Sequence, residues 1–424
     1  MTLFKTSVLS FISTIFKVTF GLVVNKLLAV YGGASAIALV GQFQNVQAAF
    51  VGIATAGFGQ GVTKYLAEFR EDITKCKSVF STASKMVAVI LLPLSIILFL
   101  LSDSLSSMLF NTNGYGIWLK GLSISLVPAS LGLLFLAALN GLGEIRSLTM
   151  VGVLSSCFGI VIVVALVPTL GVSGVIIGLL LTPFLVFVLS VWYLYRSHLF
   201  SWGWIKGSIN PNDAKMLSKF ALMAFATAIL IPVSHILIRT YLGEAISPDA
   251  AGLWTGLWRV SEAYLMVITM TLSVYYLPKL SSIKGKRALI EEMKQGYKII
   301  MPLVLISASA IFLLRDWIIL VLFTDALMEM RNLFLWQFVG DVVKIGCFLM
   351  GFVLLAKGLV TIYIVKEIVV SVLFVSLTYA FVGKFGLVGV TYAYLATYSV
   401  NFVLLIFIMR HYFRSILEDK VEAS

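Results

Sequence analysis

The sequence predicts an all-α integral membrane protein, with twelve transmembrane helices arranged as two parallel-repeat six-helix bundles. Three observations carry this. Hydrophobic residues fill 60% of the 424 positions and charged residues only 12%, about half the charged share of a soluble domain, and the mean hydropathy is +1.04. Apolar runs near the length that crosses a bilayer as a helix recur along the whole chain. The two halves also resemble each other.

The runs fall at 8–31, 37–62, 79–102, 116–139, 148–168, 174–195, 215–241, 251–277, 295–315, 328–355, 360–381 and 387–410. The first lacks a small-residue cleavage pattern after a short apolar core, so it reads as a retained helix rather than a signal peptide. "YGGASA" and "PTLGVSG" are little more than turns. Pro93, Pro128, Pro183, Pro232 and Pro302 fall within runs, where a missing hydrogen bond permits a kink. After the sixth run comes "LFSWGWIK", whose Phe200, Trp202 and Trp204 suit the headgroup layer. The expected division is an N-terminal bundle (1–200), an interfacial cytoplasmic linker (201–214) and a C-terminal bundle (215–424).

An even number of spans puts both termini on one side. Twenty Lys and Arg lie in connections on that side, against four on the other: Arg239, Arg315, Arg331 and Lys384. The positive-inside rule then places both termini in the cytoplasm. This bias accounts for most of the +12 net charge, so no nucleic-acid partner is needed.

The repeat is visible in "LLSDSLSSMLF" (100–110) and "LLRDWIILVLF" (313–323), which share five of eleven positions at an offset of 213. At an offset of 214, "ALVGQFQNVQAAF" (38–50) lies over "GLWTGLWRVSEAY" (252–264). Six helices per repeat is even, so the halves share one orientation in the membrane. Two such bundles around a central cavity suit a transporter with its substrate site near the midplane.

Eight charges lie well within the runs: Lys17, Lys26, Arg259, Glu262, Asp341, Lys344, Lys366 and Glu367. Each costs roughly 2.5–3.5 kcal/mol at mid-bilayer and must face protein or a water-filled space. Arg259/Glu262 and Asp341/Lys344 have i, i+3 spacing and can touch, as functional pairs or as pins between helices. Lys366 and Glu367 are adjacent, about 100° apart, so they do not share one partner. Lys17 and Lys26 have no acid on their own helix, and a bend near Gly21 would turn both to one cavity. Snorkelling is the rival reading for Lys26. Five bases against three acids make the interior positive, which favours an anionic substrate. Gln44 and Asn45 in "GQFQNVQ" offer bonds to sugar hydroxyls or to neighbouring helices. His235 offers a proton-coupling group or a static hydrogen bond.

No Walker A, GxSxG, HExxH or dinucleotide pattern is present, and the three cysteines have no metal or disulfide spacing. No cofactor and no metal are expected. "GFGQG" and "GVSGVIIG" suit close helix packing.

"VNKLLAVYG" and "GVTKYLAEF" near the front, "LSKFALMAFATAILIPVSHILIRTYL" (217–242), "GLWTGLWRVSEAYLMVITMTLSVYYLPKLS" (252–281) and "FLWQFVGDVVKIGCFLMGFVLLAKG" (334–358) resemble the Wzx-type flippases over nearly the whole chain. The resemblance implies the fold of the multidrug/oligosaccharidyl-lipid/polysaccharide (MOP) exporters, MATE-like. It implies a bacterial inner-membrane flippase, not an enzyme, that moves an undecaprenyl-pyrophosphate-linked oligosaccharide to the periplasmic leaflet. The polymerase and chain-length regulator of the same pathway would be its partners, beside membrane lipids. Lys17, Lys26, Lys64, Asp341 and Lys344 sit in stretches that match the family. Gln44 departs from it, standing near a position where lipid III members carry Arg. That leaves the cargo open between an O-antigen repeat unit and the enterobacterial common antigen unit. A drug or cation antiporter of the same superfamily requires an acidic interior. A membrane polysaccharide polymerase requires a large outer loop.

Overall fold

The computed structural model describes residues 3–421 apart from 111, 198–199, 273–275, 277–278, 281–282 and 284. The end of the eighth predicted span (273–275 and 277) lies outside the described residues, as do Lys284 and the side chains of Lys5, Trp202, Lys219 and Lys420.

Each predicted span overlaps a helix. The first two merge in α1 (Leu3–Thr55), which bends at Gly33 (φ 66°, ψ −162°). A β-carbon there would meet no atom within 4 Å, so the left-handed φ alone demands glycine. The bend is at Gly33 rather than Gly21 because "YGGASA" supplies the glycine at the turn between two apolar runs. After α2 (Phe58–Glu68), α3 (Ile73–Leu100) starts at Asp72, whose carboxylate accepts the Lys75 N–H at 2.9 Å, satisfying one orphan donor of the first turn. The unit continues with α4 (Ser102–Phe110), α5 (Gly116–Gly141), α6 (Ile145–Leu170) and α7 (Val172–Arg196).

The remaining helices are α8 (Pro211–Ala245), α9 (Pro248–Thr271), α10 (Lys286–Leu313), α11 (Arg315–Leu322), α12 (Phe334–Ala356), α13 (Val360–Phe385) and α14 (Val388–Val421). Ser247 caps α9 by accepting the Ala250 N–H at 3.1 Å, and Pro248 opens its first turn. All five prolines lie inside helices that continue past them. Among the described residues nine helices are long and apolar enough to cross a membrane, with α1 taken as one. Large apolar side chains stand exposed one or two turns apart, as at Leu92, Ile96 and Leu100 or Val365, Val369 and Val372. In a helix of this composition that face meets lipid.

The chain divides into two compact units, Met1–Ile236 and Leu237–Ser424. Within the first, α5 packs on α3 and α7, and α6 packs on α1 and α7. Within the second, α12 packs on α10 and α14, and α13 packs on α14. The repeat is therefore structural. α3 and α10 are both 28 residues long, α6 and α13 both 26, and left-handed glycines recur as Gly143/Gly358 and Gly171/Gly386. The acid of each "LL(S/R)D" motif is paired in its own unit, Asp103 with Lys120 at 2.9 Å and Asp316 with Arg331 at 3.4 Å.

The segment after α7 packs on α3. Phe200 and Trp204 are buried against Phe80 of α3, with ring centroids at 5.1 and 6.4 Å. The Asn210 N–H donates to Thr82 Oγ1 at 3.1 Å, and Asp213 accepts from Lys75 Nζ at 2.6 Å and Ser78 Oγ at 2.5 Å. Aromatic residues that suit a headgroup layer serve a protein groove equally well, and composition alone does not separate the two.

Candidate functional site

Most of the charges predicted inside the membrane lie in the second unit, on α9, α12 and α13. Asp341 of α12 is fully buried, and its two oxygens accept hydrogen bonds from Tyr394 Oη at 2.7 Å and Tyr264 Oη at 2.8 Å. Gly340 makes this possible. A β-carbon there would collide with the Tyr394 ring, so glycine lets α14 close onto α12.

Asp341 and Lys344 do not form the ion pair their spacing allows. Among the described residues Lys344 makes neither an ion pair nor a hydrogen bond. Its ammonium instead faces four rings, those of Trp258 at 4.8 Å, Tyr398 at 5.5 Å, Tyr394 at 5.6 Å and Phe348 at 5.9 Å. The negative faces of those rings stabilise the cation. Two phenols bond the carboxylate, one on each oxygen. Glu262 accepts the Trp258 indole N–H at 2.7 Å, so one tryptophan serves both Glu262 and Lys344. Asp341, Glu262 and Glu367 all lie within electrostatic reach of Lys344.

Two further expectations change. Lys366 and Glu367, though adjacent, pair with each other, and Lys366 also lies over the Tyr363 ring at 5.0 Å. Long side chains fold back across the angle that separates their Cα–Cβ bonds. Arg239, counted among the outer connections, is buried within α8. Its Nε donates to Thr255 Oγ1 at 2.8 Å and its guanidinium lies 5.7 Å from the Trp254 ring. Arg259 and Glu262 lie within its electrostatic reach. With Arg239 added, and Lys85, which stands as deep in its run as Lys366, the runs hold seven bases and three acids.

In the first unit, Lys17 and Lys26 share one unbroken stretch of α1 before Gly33. Nine residues of straight helix turn them to opposite faces, so they do not converge. Lys17 is exposed, and its Cε would stand 3.5 Å from a β-carbon at Gly152 of α6. Lys26 is half-buried. Gln42 is buried, Gln44 and Asn45 are half-buried, and Asn45 Nδ2 finds no hydrogen-bond partner. Lys64 is exposed, with its ammonium 4.9 Å from the Tyr65 ring, and His235 is buried.

Sequence reasoning missed the aromatic partners. Their signal was present as i, i+4 spacing of residues with a polar handle: Trp254, Trp258 and Glu262 on α9, and Tyr394 and Tyr398 on α14. Among the described residues no cluster of His, Cys, Asp and Glu has a metal-binding arrangement. The site joins a caged cation, a buried carboxylate held by phenols and further basic groups.

Residues 94–332, more than half the chain, match the family described as "Polysaccharide biosynthesis protein". The chain belongs to that family. It is 32% identical over 404 residues to the lipid III flippase of Escherichia coli (strain K12), covering 95% of this chain and 97% of the relative, with the same figures for that of Shigella flexneri. Its full-length relatives are flippases, so it is a transporter and not an enzyme. The fold is that of a MATE transporter of the MOP superfamily. An inward-facing MATE structure superposes with a TM-score of 0.81 at 16% identity, covering 96% of both chains. A MOP transporter from Pyrococcus furiosus, whose binding pocket is described as having reverse polarity, gives 0.77 at 16% identity over 96% and 94%.

Proposed function

We propose that this protein is an alternating-access flippase for an oligosaccharide carried on undecaprenyl pyrophosphate. It moves its cargo from the cytoplasmic to the periplasmic leaflet of a bacterial inner membrane, through twelve spans in two six-helix repeats with both termini cytoplasmic. The cargo is an O-antigen repeat unit or the common antigen lipid III. The pathway's polymerase and chain-length regulator receive it.

One observation carries the reading: seven bases against three acids within the runs of a membrane fold, in a chain whose full-length relatives are lipid III flippases. A pyrophosphate needs positive partners, and half-buried amides such as Gln44 and Asn45 suit sugar hydroxyls. A cation antiporter on the same fold would call for the opposite balance.

Lys17, exposed within a predicted span, faces a water-filled space and meets the pyrophosphate. Arg259, Lys366 and Glu367 add to the field around the path, Lys26 and Lys64 sit beside it, and His235 and Glu262 are the candidates for proton coupling. The membrane potential assists outward movement of two negative charges by roughly 2.3 kcal/mol per charge per 100 mV.

The test is Lys17→Ala in cells that lack other flippases and depend on this one for surface polysaccharide. Polysaccharide output should fall at least about tenfold at an unchanged protein level, the scale of one lost charge-assisted contact. Full output would remove Lys17 from the path. No output from the unmodified protein, with either cargo supplied, would remove the flippase reading.

A further inference from the structure

Three acids surround Lys344, and each is already engaged by another donor. Tyr264 and Tyr394 hold Asp341, Trp258 holds Glu262, and Lys366 holds Glu367. Around the Lys344 ammonium stand four rings at 4.8 to 5.9 Å. Ring faces stabilise positive charge but accept no strong hydrogen bond, and an ammonium has three N–H donors to place. Trp258 and Tyr394 are buried, whereas Lys344 is half-buried. A lysine kept merely to neutralise a neighbouring carboxylate would be bonded to it. Here every neighbouring carboxylate already accepts from another donor, and the lysine is walled by aromatic residues without a hydrogen bond to an acceptor.

We propose that Lys344 is a seat for an oxyanion of the transported molecule, a phosphate oxygen of its pyrophosphate. The rings of Trp258, Tyr394, Tyr398 and Phe348 hold the ammonium ready. The two phenols on Asp341 compete with the ammonium for the nearest acid. This assignment rests on the flippase reading and deepens it, because it separates Lys344 from any gate formed with Asp341. The incoming oxyanion accepts the N–H donors that the rings leave open, a charge-assisted bond strengthened by the drier surroundings.

The experiment uses the full-length protein in nanodiscs of zwitterionic lipid, titrated with inorganic pyrophosphate by calorimetry. The unmodified protein should bind. Lys344→Met should bind at least about tenfold more weakly, and Lys344→Arg, which keeps charge and donors, within about threefold. Tyr394→Phe keeps the ring but frees one Asp341 oxygen a single helical turn from Lys344. That oxygen should capture the ammonium and weaken pyrophosphate binding although the lysine is still present. A purely structural Lys344 would leave pyrophosphate binding in Lys344→Met unchanged, and that result overturns the proposal. Absence of binding by the unmodified protein overturns it too, as does binding that vanishes once phosphatidylglycerol replaces part of the lipid at constant ionic strength, since the seat would then belong to a lipid headgroup. Should Lys344→Met not fold, Tyr394→Phe decides in the same way. Normal pyrophosphate binding by Lys344→Met together with loss of polysaccharide in Lys17→Ala would sink the seat and leave the flippase reading standing.

Discussion

The junction between α3 and the start of α8 makes an asymmetric prediction. Asp213 is fully buried, while the side chain of its partner Lys75 is 31% exposed. Replacing Lys75 by Met leaves a buried carboxylate with Ser78 as its remaining donor. Removing one partner of a buried pair costs about 3–5 kcal/mol. Asp213→Ala instead removes the buried charge. Lys75 then turns to water, and the two lost hydrogen bonds to a charged group, about 1.5–3 kcal/mol each, are offset by the desolvation cost that a buried carboxylate no longer imposes. Lys75→Met should therefore be the more damaging change. The double variant Lys75→Met, Asp213→Asn should be more stable than Lys75→Met alone, because no unpaired charge stays buried. Unfolding of the purified variants in mixed micelles, followed by tryptophan fluorescence, measures the order. The same ranking should appear as protease cleavage near 200–210, where Phe200 and Trp204 are released from Phe80. An Asp213→Ala variant less stable than Lys75→Met, or a double variant worse than either single change, would refute the burial argument.

Two glycines give further outcomes. Gly152→Ala puts a methyl group against Ser13 Oγ and beside the Lys17 stem, forcing α1 and α6 apart at about 1–3 kcal/mol. Surface polysaccharide should fall in this variant although Lys17 is retained. Gly340→Ala drives a methyl group into the Tyr394 ring, also at about 1–3 kcal/mol, and should lower the thermal midpoint, whereas Gly351→Ala, with open space at its β-carbon, should not.

Helix positions were legible because lipid demands apolar length and every backbone group must be satisfied internally. "YGGASA" showed a turn and the glycine at its centre. The location of charge within a span was legible for the same reason, since a lysine amid valine and leucine stands out. Charge partners were not legible. Spacing says that Asp341 and Lys344 can touch, but Tyr264 and Tyr394, which bind Asp341 instead, arrive from α9 and α14, 77 and 53 positions away. Arg239 misled for a related reason. It sits near the end of an apolar run, where a loop is the ordinary expectation, and only Thr255 and Trp254 on α9 show that it is enclosed.

The repeat explains where the chemistry could diverge. α6 and α13 have equal length and corresponding glycines at both ends, 215 positions apart. That register sets Asp341 over Leu126, Lys344 over Ala129, Tyr394 over Leu179, and Lys366 and Glu367 over Val151 and Gly152. The first unit keeps the packing of α5, α6 and α7 with none of this charge. At the α9 register, 214 apart, Gln44 and Asn45 stand where the second unit has Trp258 and Arg259. Helix packing constrains the size and spacing of contact residues, and both copies obey it. It leaves open which polar groups occupy the rest. Where the second unit has Glu367 paired to its neighbour, the first has Gly152, and the space a side chain would take is filled by Ser13 and the stem of Lys17 from α1. The first unit thus reaches a basic group by importing it from another helix, and the second builds one into α12 and walls it with rings. One scaffold thus carries amides at the register where its second copy carries an indole and a guanidinium. On the proposed function, exchanging Gln44 and Asn45 for Trp and Arg should change which glycan reaches the surface polysaccharide, and loss of the protein from the membrane instead would show that the amides serve packing alone.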